Sequence, residues 1–390
     1  MAIYRKRQIG FLSTYPPREC GLATFTSNLT AELDKVQLLN EMKIISISNK
    51  EHNYDNNVIF DIQQDDLDSY LAAAKAIKDS KIDLLCIQHE FGIYGGYCGD
   101  FLVDFLSKIE IPIVATMHTV IPEPNSRQLY IIKKIAEKSA RIVTMAKNTI
   151  STLVNTYDVD QNKITFIPHG VPFRILPTRD NLKEKYGFHG KQIISTFGLI
   201  SPGKGLENGI QAMAKIKDKF NDSVYLILGQ THPVVKKQMG EVYRESLQAM
   251  VRELGLENNV FFVDKYLNID ELLEYLKLSD IYMTPYLGKD QAVSGTLAYA
   301  VGYGKAIVST PYTYAREVLD NERGLLAKFK NPDSLAECME KILSNPSLQE
   351  ELEYKTKTYG KNMMWKNVAT SYAKTFIDII ESEKMLVQDA

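Results

Sequence analysis

The sequence has little of several features that mark specialised protein classes. Only four cysteines occur in 390 residues, and no two of them form a CxxC pair. This spacing fits neither a disulfide framework nor a zinc site. No run of about 18 apolar residues, the length that spans a membrane, is present. The first residues also lack the apolar stretch and cleavage site of a signal peptide, so the sequence predicts a cytoplasmic protein with reduced thiols.

Neither sign of charge is in excess. Lys and Arg number 46 and Asp and Glu number 48, which gives a formal net charge of −2. A dedicated nucleic-acid-binding protein usually carries a strong basic excess, so no nucleic-acid partner is expected. Hydrophobic residues make up 45% and charged residues 24%, as is typical of globular proteins.

The chain does contain a repeated alternation of short, β-rich apolar runs and helical periods. Such alternation predicts parallel strands joined by crossover helices, an α/β fold. In the first half we predict strands at 9–14, 42–47, 84–88, 111–117 and 141–145, with helices at 24–33 and 129–138. In the second half we predict strands at 193–197, 224–228, 260–263, 281–284 and 306–309, with helices at 206–220 and 234–254.

A proline-rich stretch separates the two series. Residues 167–177 contain three prolines and a glycine, which is typical of an interdomain connector. We therefore predict two Rossmann-like, doubly wound parallel-sheet domains, at 1–175 and 190–364, that face a central cleft. In folds of this kind ligands bind where the carboxyl ends of the strands meet.

Three loops of the first half carry residues suited to ligand contact. Gly21 lies where a strand gives way to a helix, and free N–H groups at a helix start attract phosphate. A lone histidine is usually structural, but His118 and a second histidine both end strands, which favours a binding site. No third ligand at a defined spacing accompanies them, so no metal site is predicted. The loop after the strand at 84–88 contributes His89, Glu90, Tyr94, Gly95 and Gly96.

Two loops of the second half have the composition of anion cradles. Residues 198–205 place Lys204 among glycines where a strand gives way to a helix. Gly205 stands where a nucleotide-binding P-loop needs Ser or Thr, so the sequence excludes a P-loop nucleoside triphosphatase. Residues 294–296, Ser-Gly-Thr, form the second helix start. Either loop alone could be an ordinary strand–helix connection, but the pair favours a bound diphosphate.

In the order of these motifs the chain resembles retaining glycosyltransferases of family 4, which have the GT-B architecture. The resemblance extends over essentially the whole chain. It rests on the loop of Gly21, the strand ending in His118, and fragments at 167–171, 197–205, 226–229, 279–285 and 304–308.

The resemblance implies roles for individual residues. The second domain would hold most of a nucleotide-sugar, with Lys204 on the diphosphate and His118 near the reacting face of the donor sugar. The last helix, at about 365–385, would return to the first domain. Other donor contacts would be Gly21 on phosphate, Ser294, Gly295 and Thr296 through backbone N–H groups, Lys265, Tyr266 and Leu267 on the base, and Leu199, Gln291 and Tyr299. Acceptor-side residues would be His89, Glu90, Tyr94, Gly95, Gly96 and His169.

Three positions depart from the family pattern. The family usually has two glutamates separated by seven residues before the strand at 306–309, and these positions are Gln291 and Tyr299 here. Gln can hydrogen-bond to sugar hydroxyls, but Tyr cannot accept from both ribose hydroxyls as a carboxylate does. Leu199 stands where an arginine usually partners Lys204. Substitute cations would be Lys289, Lys305 or Arg18.

We therefore predict a metal-independent enzyme that uses no cofactor. It would transfer a hexosyl group, with retention, from a UDP- or GDP-sugar to a carbohydrate or lipid-linked acceptor. Two alternatives stay open: a glycoside phosphorylase on the same fold, and a catalytically degenerate sugar-nucleotide-binding subunit, which the three departures motivate. A dehydrogenase is disfavoured because neither half has a GxGxxG loop. Weak peripheral membrane contact is a minor hypothesis based on the basic residues at 5–7 and on Lys133, Lys134 and Lys138.

Overall fold

A computed structural model describes residues 6–388 of the chain. The described residues divide into two compact units. The first unit runs up to Gly170 and resumes at Asn362, and the second comprises Val171–Lys361. Each is built on one parallel sheet with helices packed on it. The predicted fold class, two Rossmann-like doubly wound domains, is confirmed.

The first unit contains a seven-stranded parallel sheet. Its strands are β1 (Ile9–Ser13), β2 (Lys43–Ser48), β3 (Val58–Gln63), β4 (Leu84–His89), β5 (Ile113–Met117), β6 (Arg141–Thr144) and β7 (Ile164–Phe166). The helices among them are α1 (Gly21–Leu33), α2 (Leu67–Lys78), α3 (Phe101–Ser107), α4 (Ser126–Lys138) and α5 (Ile150–Asn155). The strand order is β3-β2-β1-β4-β5-β6-β7. The order reverses between β1 and β4, so the loops after these two strands flank the crevice where doubly wound folds bind ligands.

Local sequence explains where the helices beside this crevice begin. The Sγ atom of Cys20 accepts a hydrogen bond from the backbone N–H of Ala23 and caps α1. A capping box between Asn125 and Gln128 starts α4. All residues of β1 are buried, as expected for a central strand that is covered on both faces.

The second unit contains a six-stranded parallel sheet. Its strands are β8 (Gln192–Phe197), β9 (Ser223–Leu228), β10 (Val260–Val263), β11 (Ile281–Thr284), β12 (Ala306–Ser309) and β13 (Leu325–Leu326). Its helices are α6 (Arg179–Lys185), α7 (Leu206–Ile216), α8 (Pro233–Met239), α9 (Val242–Glu253), α10 (Ile269–Leu278), α11 (Gly295–Gly302), α12 (Thr313–Val318), α13 (Pro332–Leu343) and α14 (Pro346–Gly360). The strand order, β10-β9-β8-β11-β12-β13, reverses between β8 and β11. The loops after β8 and β11 are therefore neighbours at one edge of the sheet.

The last helix, α15 (Trp365–Gln388), packs within the first unit. Its Trp365 is only 3% exposed, and the hydroxyl of Tyr372 lies 3.0 Å from that of Thr116 on β5. Phe376 meets Phe11 of β1 edge to face, with ring centroids 6.1 Å apart. This helix thus covers the central strands of the first sheet.

The prediction of one helix at 234–254 is wrong. Two helices, α8 and α9, occupy this stretch, and Gly240 separates them with φ 64°. That backbone conformation is rarely open to other residues and ends α8. The sequence prediction also omits β3, β7 and β13. All three are edge strands with partly exposed residues, whose hydrophobic pattern is weak.

Residues 176–189, which fall between the two predicted domains, are not a bare linker. They contain α6, which belongs to the second unit. Lys183 of α6 pairs with Asp280 at 2.6 Å, just before β11. The proline-rich stretch therefore ends in a helix that is anchored to the second sheet.

Candidate functional site

The predicted donor residues of the second unit cluster at the carboxyl ends of β8 and β11. Lys204, on the loop after β8, donates a hydrogen bond from Nζ to the hydroxyl of Tyr286, on the loop after β11 (2.8 Å). That hydroxyl lies 2.8 Å from Oγ1 of Thr296, in the first turn of α11. Ser294 caps α11 by accepting from the N–H of Leu297. The structure therefore brings together the two loops that the sequence predicts as anion cradles.

Gly198 leaves the backbone open beside this cluster. It follows β8 with φ 130°, and a Cβ built there would lie 3.3 Å from Cγ2 of Thr296 and 3.9 Å from Nζ of Lys204. On its other side, a Cβ at Gly229 would lie 2.2 Å from the carbonyl oxygen of Gly198. Only glycines permit these two loops to approach so closely. As a result, no side chain separates the Gly198 backbone from Lys204.

The cluster is electropositive. Gly295 is the first residue of α11, and backbone N–H groups at a helix start attract negative charge. His232 caps α8, with Nδ1 accepting from the N–H of Val234 (3.2 Å). Burial lowers the pKa of His232, and the positive charge of Lys204 lowers it further. An anion is the ligand that this combination of cation and helix start favours.

Lys289, Lys305 and Arg18 are the suggested substitutes for the arginine that the family usually has. The structure distinguishes among them. Lys305 precedes β12 and therefore lies at the opposite edge of the parallel sheet from Lys204. Its Nζ donates to the carbonyl of Lys277 (3.3 Å), so the suggestion of Lys305 is wrong. Arg18 belongs to the first unit, where its guanidinium donates to the carbonyl of Ile47 (3.0 Å) and to Gln64 (3.1 Å). Lys289 is exposed on the loop after β11, at the same edge of the sheet as Lys204.

The other predicted donor contacts follow β8, β10 and β11. Lys265, Tyr266 and Leu267, predicted on the base, come after β10; Leu199 and Gln291 lie on the loops after β8 and β11, and Tyr299 lies in α11. Tyr266 is 43% exposed, whereas Leu267 and Tyr299 are buried. Lys265 pairs with Glu271 of α10. The other two are Leu199, which is half-buried, and Gln291, whose Nε2 donates to the carbonyl of Val293 (3.0 Å).

Arg244 is a residue of this edge that the sequence analysis misses. It is 3% exposed, and its guanidinium donates to the carbonyl of Gly229 (3.2 Å) and to Asp264 (2.7 Å). It therefore ties the loop after β9 to the loop after β10. Its spacing in the sequence could have indicated this burial. Arg244 stands three residues before Leu247 and seven before Val251, so all three lie on the buried face of α9.

In the first unit, the half-buried His118 and the buried Gln88 form a hydrogen-bonded pair at the carboxyl ends of β5 and β4. Nε2 of His118 donates to Oε1 of Gln88 at 2.8 Å, and Gln88 is fully buried. With the Gln88 amide oriented this way, Nε2 of His118 carries the proton and Nδ1 keeps its lone pair. Burial lowers the pKa of His118 to about 3, helped by neighbouring His169 and His89. The imidazole is therefore neutral at pH 7.

The two predicted acceptor-side histidines, His89 and His169, are also held neutral. Burial lowers the pKa of His89 to about 3 and that of His169 to about 4. Nδ1 of His89 is buried without a hydrogen-bond partner, and Nδ1 of His169 lies 2.8 Å from the carbonyl oxygen of Gly170. The ring of Phe25 meets His118 and His169 edge-on, with centroids 4.8 and 5.2 Å away. Apolar packing thus surrounds these imidazoles.

Glu90 follows β4 and contacts the hydroxyl of Thr119, just beyond His118. Burial raises the pKa of the Glu90 carboxyl. Gly21 is exposed at the start of α1, and a Cβ there would meet nothing within 4 Å. Gly21 therefore leaves the backbone at the start of α1 open to a ligand, whereas the Glu90 carboxyl is held by Thr119.

Packing accounts for three further predicted acceptor-side residues. The hydroxyl of Tyr94 donates to the carbonyl of Gln88 (2.8 Å) and its ring stacks on His89. A Cβ at Gly95 would overlap the carbonyl of Gln64, and one at Gly96 would overlap the side chain of Asp100. These residues shape the loop after β4.

Two other predictions concern metal ions and membranes. Within residues 6–388 no three His, Cys, Asp or Glu side chains are grouped as metal ligands. No helix in the same range is long and apolar enough to cross a membrane. Of the basic residues, Arg5 lies outside the described range, Lys133 is 3.8 Å from Asp158, and Lys134 pairs with Glu137 at 2.6 Å.

Models of two glycosyltransferase families match the chain. The model described as Glycosyltransferase Family 4 matches residues 28–174, and the model described as Glycosyl transferases group 1 matches residues 178–359. Together the two matches cover more than four fifths of the chain. The first match lies mostly in the first unit, and the second match lies within the second unit.

Similar proteins agree with these matches. The uncharacterized glycosyltransferase MJ1069 of Methanocaldococcus jannaschii is 27% identical over 63% of this chain, which spans about 60% of that relative's length. MJ1178 of the same organism, also an uncharacterized glycosyltransferase, is 21% identical over 94% of this chain and 97% of its own. The fold is similar to that of Anabaena HepE in complex with UDP-glucose, with a TM-score of 0.75, 13% identity, and coverage of 95% of this chain and 99% of that one. The two models together thus assign the chain to the GT-B glycosyltransferases, with similarity to family 4.

Proposed function

We propose that this glycosyltransferase moves a hexosyl group from a nucleoside-diphosphate sugar to a carbohydrate or lipid-linked acceptor, with retention and without a metal ion. The observation that carries the proposal is the convergence of Lys204, Gly198 and the start of α11 at one edge of the second sheet. A diphosphate combines the negative charge and the several acceptor oxygens that such a cluster binds.

In the proposed reaction the bond from the sugar's anomeric carbon to the diphosphate breaks. The acceptor oxygen forms its bond on the same face, and its proton passes to an oxygen of the leaving diphosphate. Negative charge therefore develops on the diphosphate as it departs. The ammonium of Lys204 and the N–H groups of Gly295 and Thr296 would stabilise that charge in the transition state. No protein nucleophile is needed.

The nucleoside would lie toward Lys265, Tyr266 and Leu267, after β10. The exposed ring of Tyr266 offers a flat surface on which a base can stack. UDP- and GDP-sugars are the proposed donors, and the UDP-glucose bound by HepE supports testing the uridine series first. Gln291 would contact sugar hydroxyls through its amide.

The test is calorimetric titration of the wild-type protein with UDP, GDP, ADP and inorganic phosphate. We expect one nucleoside diphosphate to bind. Lys204→Ala should weaken that binding by about tenfold or more, because a charged hydrogen bond contributes about 1.5–3 kcal/mol. Lys215→Ala is the matched control, since Lys215 pairs with Asp333 on the surface of the same unit (2.7 Å).

The proposal would be overturned if no nucleoside diphosphate bound, a result that would favour the degenerate subunit. Binding of phosphate alone, with phosphate-dependent formation of a sugar phosphate, would instead identify a phosphorylase. Where a donor is found, proton NMR of the product reports whether the anomeric configuration is retained.

A further inference from the structure

Tyr286 is a buried tyrosine at the centre of the candidate donor site. It is 1% exposed and lies on the loop after β11, between the Lys204 loop and the start of α11. Its ring stacks on that of Tyr312, with centroids 5.3 Å apart and planes 18° from parallel. No motif in the sequence assigns Tyr286 a role, because an aromatic residue after a strand usually belongs to the core.

Tyr286 holds Lys204 in two ways. The ammonium of Lys204 lies 4.0 Å from the centroid of the tyrosine ring, a cation–π contact. The same Nζ donates a hydrogen bond to the tyrosine hydroxyl at 2.8 Å. A lysine side chain is long and flexible, so the two contacts together restrict where its charge can lie.

The direction of the hydrogen bonds follows from the chemistry of the donors. Lys204 can only donate, so the oxygen of Tyr286 accepts from it. The phenolic proton is then free to be donated to Oγ1 of Thr296 at 2.8 Å. Thr296 can in turn donate to Oγ of Ser294 at 3.2 Å. One tyrosine hydroxyl therefore links the cation of one loop to the N-terminus of the helix that follows the other.

We propose that Tyr286 is a positioning residue that fixes the ammonium of Lys204 against Thr296 for the donor diphosphate. This inference rests on the proposed function. A cation that is already in place loses little conformational entropy when the diphosphate binds or departs. Leu199 carries no charge, so the field at this point depends on where Lys204 is held.

The alternative is that Tyr286 only fills space beside Tyr312. The two interpretations differ in what Tyr286→Phe does. Phe keeps the packed ring and removes the hydroxyl, so a purely structural role predicts no change in Lys204 or in ligand binding. Tyr312→Phe is the matched control, because it removes a buried hydroxyl from the ring that stacks on Tyr286 and leaves both contacts between Tyr286 and Lys204 in place.

The first experiment needs no ligand. Lysines are labelled by reductive methylation with ¹³C, and the Lys204 signal is assigned from its loss in Lys204→Arg. The ring of Tyr286 should shift that signal upfield of those from exposed lysines. Tyr286→Leu should return it to their position, and Tyr312→Phe should leave it unmoved. An unchanged signal in Tyr286→Leu would overturn the proposal.

The second experiment is a double-mutant cycle on UDP affinity. Tyr286→Phe should weaken binding by about threefold to tenfold. The double variant Lys204→Ala/Tyr286→Phe should bind no more weakly than Lys204→Ala alone, since Tyr286 acts through Lys204. Effects that multiply independently would contradict the proposal. If wild-type protein bound no UDP, the proposed donor would fail, and the methyl signal would still decide the role of Tyr286.

Discussion

A neutral amide, rather than a carboxylate, partners the imidazole of His118. Gln88 accepts from Nε2 of His118 at 2.8 Å and donates through its own Nε2 to Sγ of Cys86 at 3.4 Å. An amide carries no charge, so it orients the ring without favouring the imidazolium form. The pKa of His118 is lowered to about 3 by burial, with His169 and His89 adding to the effect, and the neutral amide does nothing to oppose it.

The substitution Gln88→Glu tests whether the neutral amide partner leaves the imidazole of His118 uncharged. A carboxylate in the same place should raise the pKa of His118 by about 1–3 and stabilise the imidazolium. Histidine labelled with ¹⁵N distinguishes the two tautomers and the charged ring by NMR, and the chain has only six histidines.

We expect His118 of the wild type to stay neutral, with the proton on Nε2, down to pH 5. In Gln88→Glu it should begin to titrate at a clearly higher pH. Gln88→Met, which has a similar size and no acceptor, should leave the ring neutral. If His118 titrated alike in the wild type and in Gln88→Glu, the contact would not control its charge.

At the scale of elements, the start of α15 is fixed by one close approach. Trp365 lies against the backbone of Gly170, and a Cβ at Gly170 would come within 2.2 Å of the indole ring. Gly170→Ala should therefore destabilise the first unit by about 1–3 kcal/mol through overpacking, seen as a fall of several degrees in Tm.

Gly92 supplies the matched control for this substitution. A Cβ there would meet nothing within 4 Å, so Gly92→Ala should leave the Tm nearly unchanged. Adding Trp365→Leu to Gly170→Ala should recover part of the loss by removing the clash. If Gly170→Ala were as stable as Gly92→Ala, Trp365 would not be held as the structure indicates.

The sequence predicts elements well where burial repeats regularly. The strands at 281–284 and 306–309 agree with β11 and β12, because central parallel strands are short, continuous apolar runs. The prediction from sequence fails where tertiary contacts determine the secondary structure. The break at Gly240 and the edge strand β3 depend on neighbours that a local pattern does not contain.

The same limit applies to the candidate site. Glycines and Lys204 in strand–helix loops identify where an anion can bind, since glycines before a helix start leave backbone N–H groups accessible and the lysine adds a positive charge. Tyr286 and Gln88 have no such signal. Each is recognisable only when the fold places it against Lys204 or His118. Contacts between residues on different strands or loops are therefore the feature of the site that cannot be predicted from the sequence.

Across the whole molecule, burial lowers the pKa of several basic groups. In the first unit burial lowers the pKa of His89 and His118 to about 3 and that of His169 to about 4. In the second unit burial lowers the pKa of Lys305 to about 7, with Arg179 adding to this effect and Glu353 and Asp280 opposing it. Unfolding returns each group to its ordinary pKa, near 6.5 for histidine and 10.4 for lysine.

All of these pKa shifts change the stability of the fold with pH in the same direction. Between its folded and unfolded pKa, each group binds more protons in the unfolded chain, so the free energy of unfolding rises with pH. The histidines act between about pH 3 and 6.5, and Lys305 acts between about pH 7 and 10.4. Lowering the pH from 7.5 to 5 should cost at most about 2 kcal/mol for each histidine.

Calorimetric unfolding at pH 5, 7.5 and 9 measures both ranges. His89→Phe keeps the stacking on Tyr94 and the edge-to-face contact with Phe91 and removes one titrating group, so it should reduce the loss of Tm between pH 7.5 and 5. Lys305→Met should remove the gain between pH 7.5 and 9 and leave the acid range unchanged. A wild-type Tm that falls between pH 7.5 and 9 as steeply as that of Lys305→Met would contradict this account. In that case Lys305 would remain charged in the folded chain, with Asp280 and Glu353 as its counter-ions.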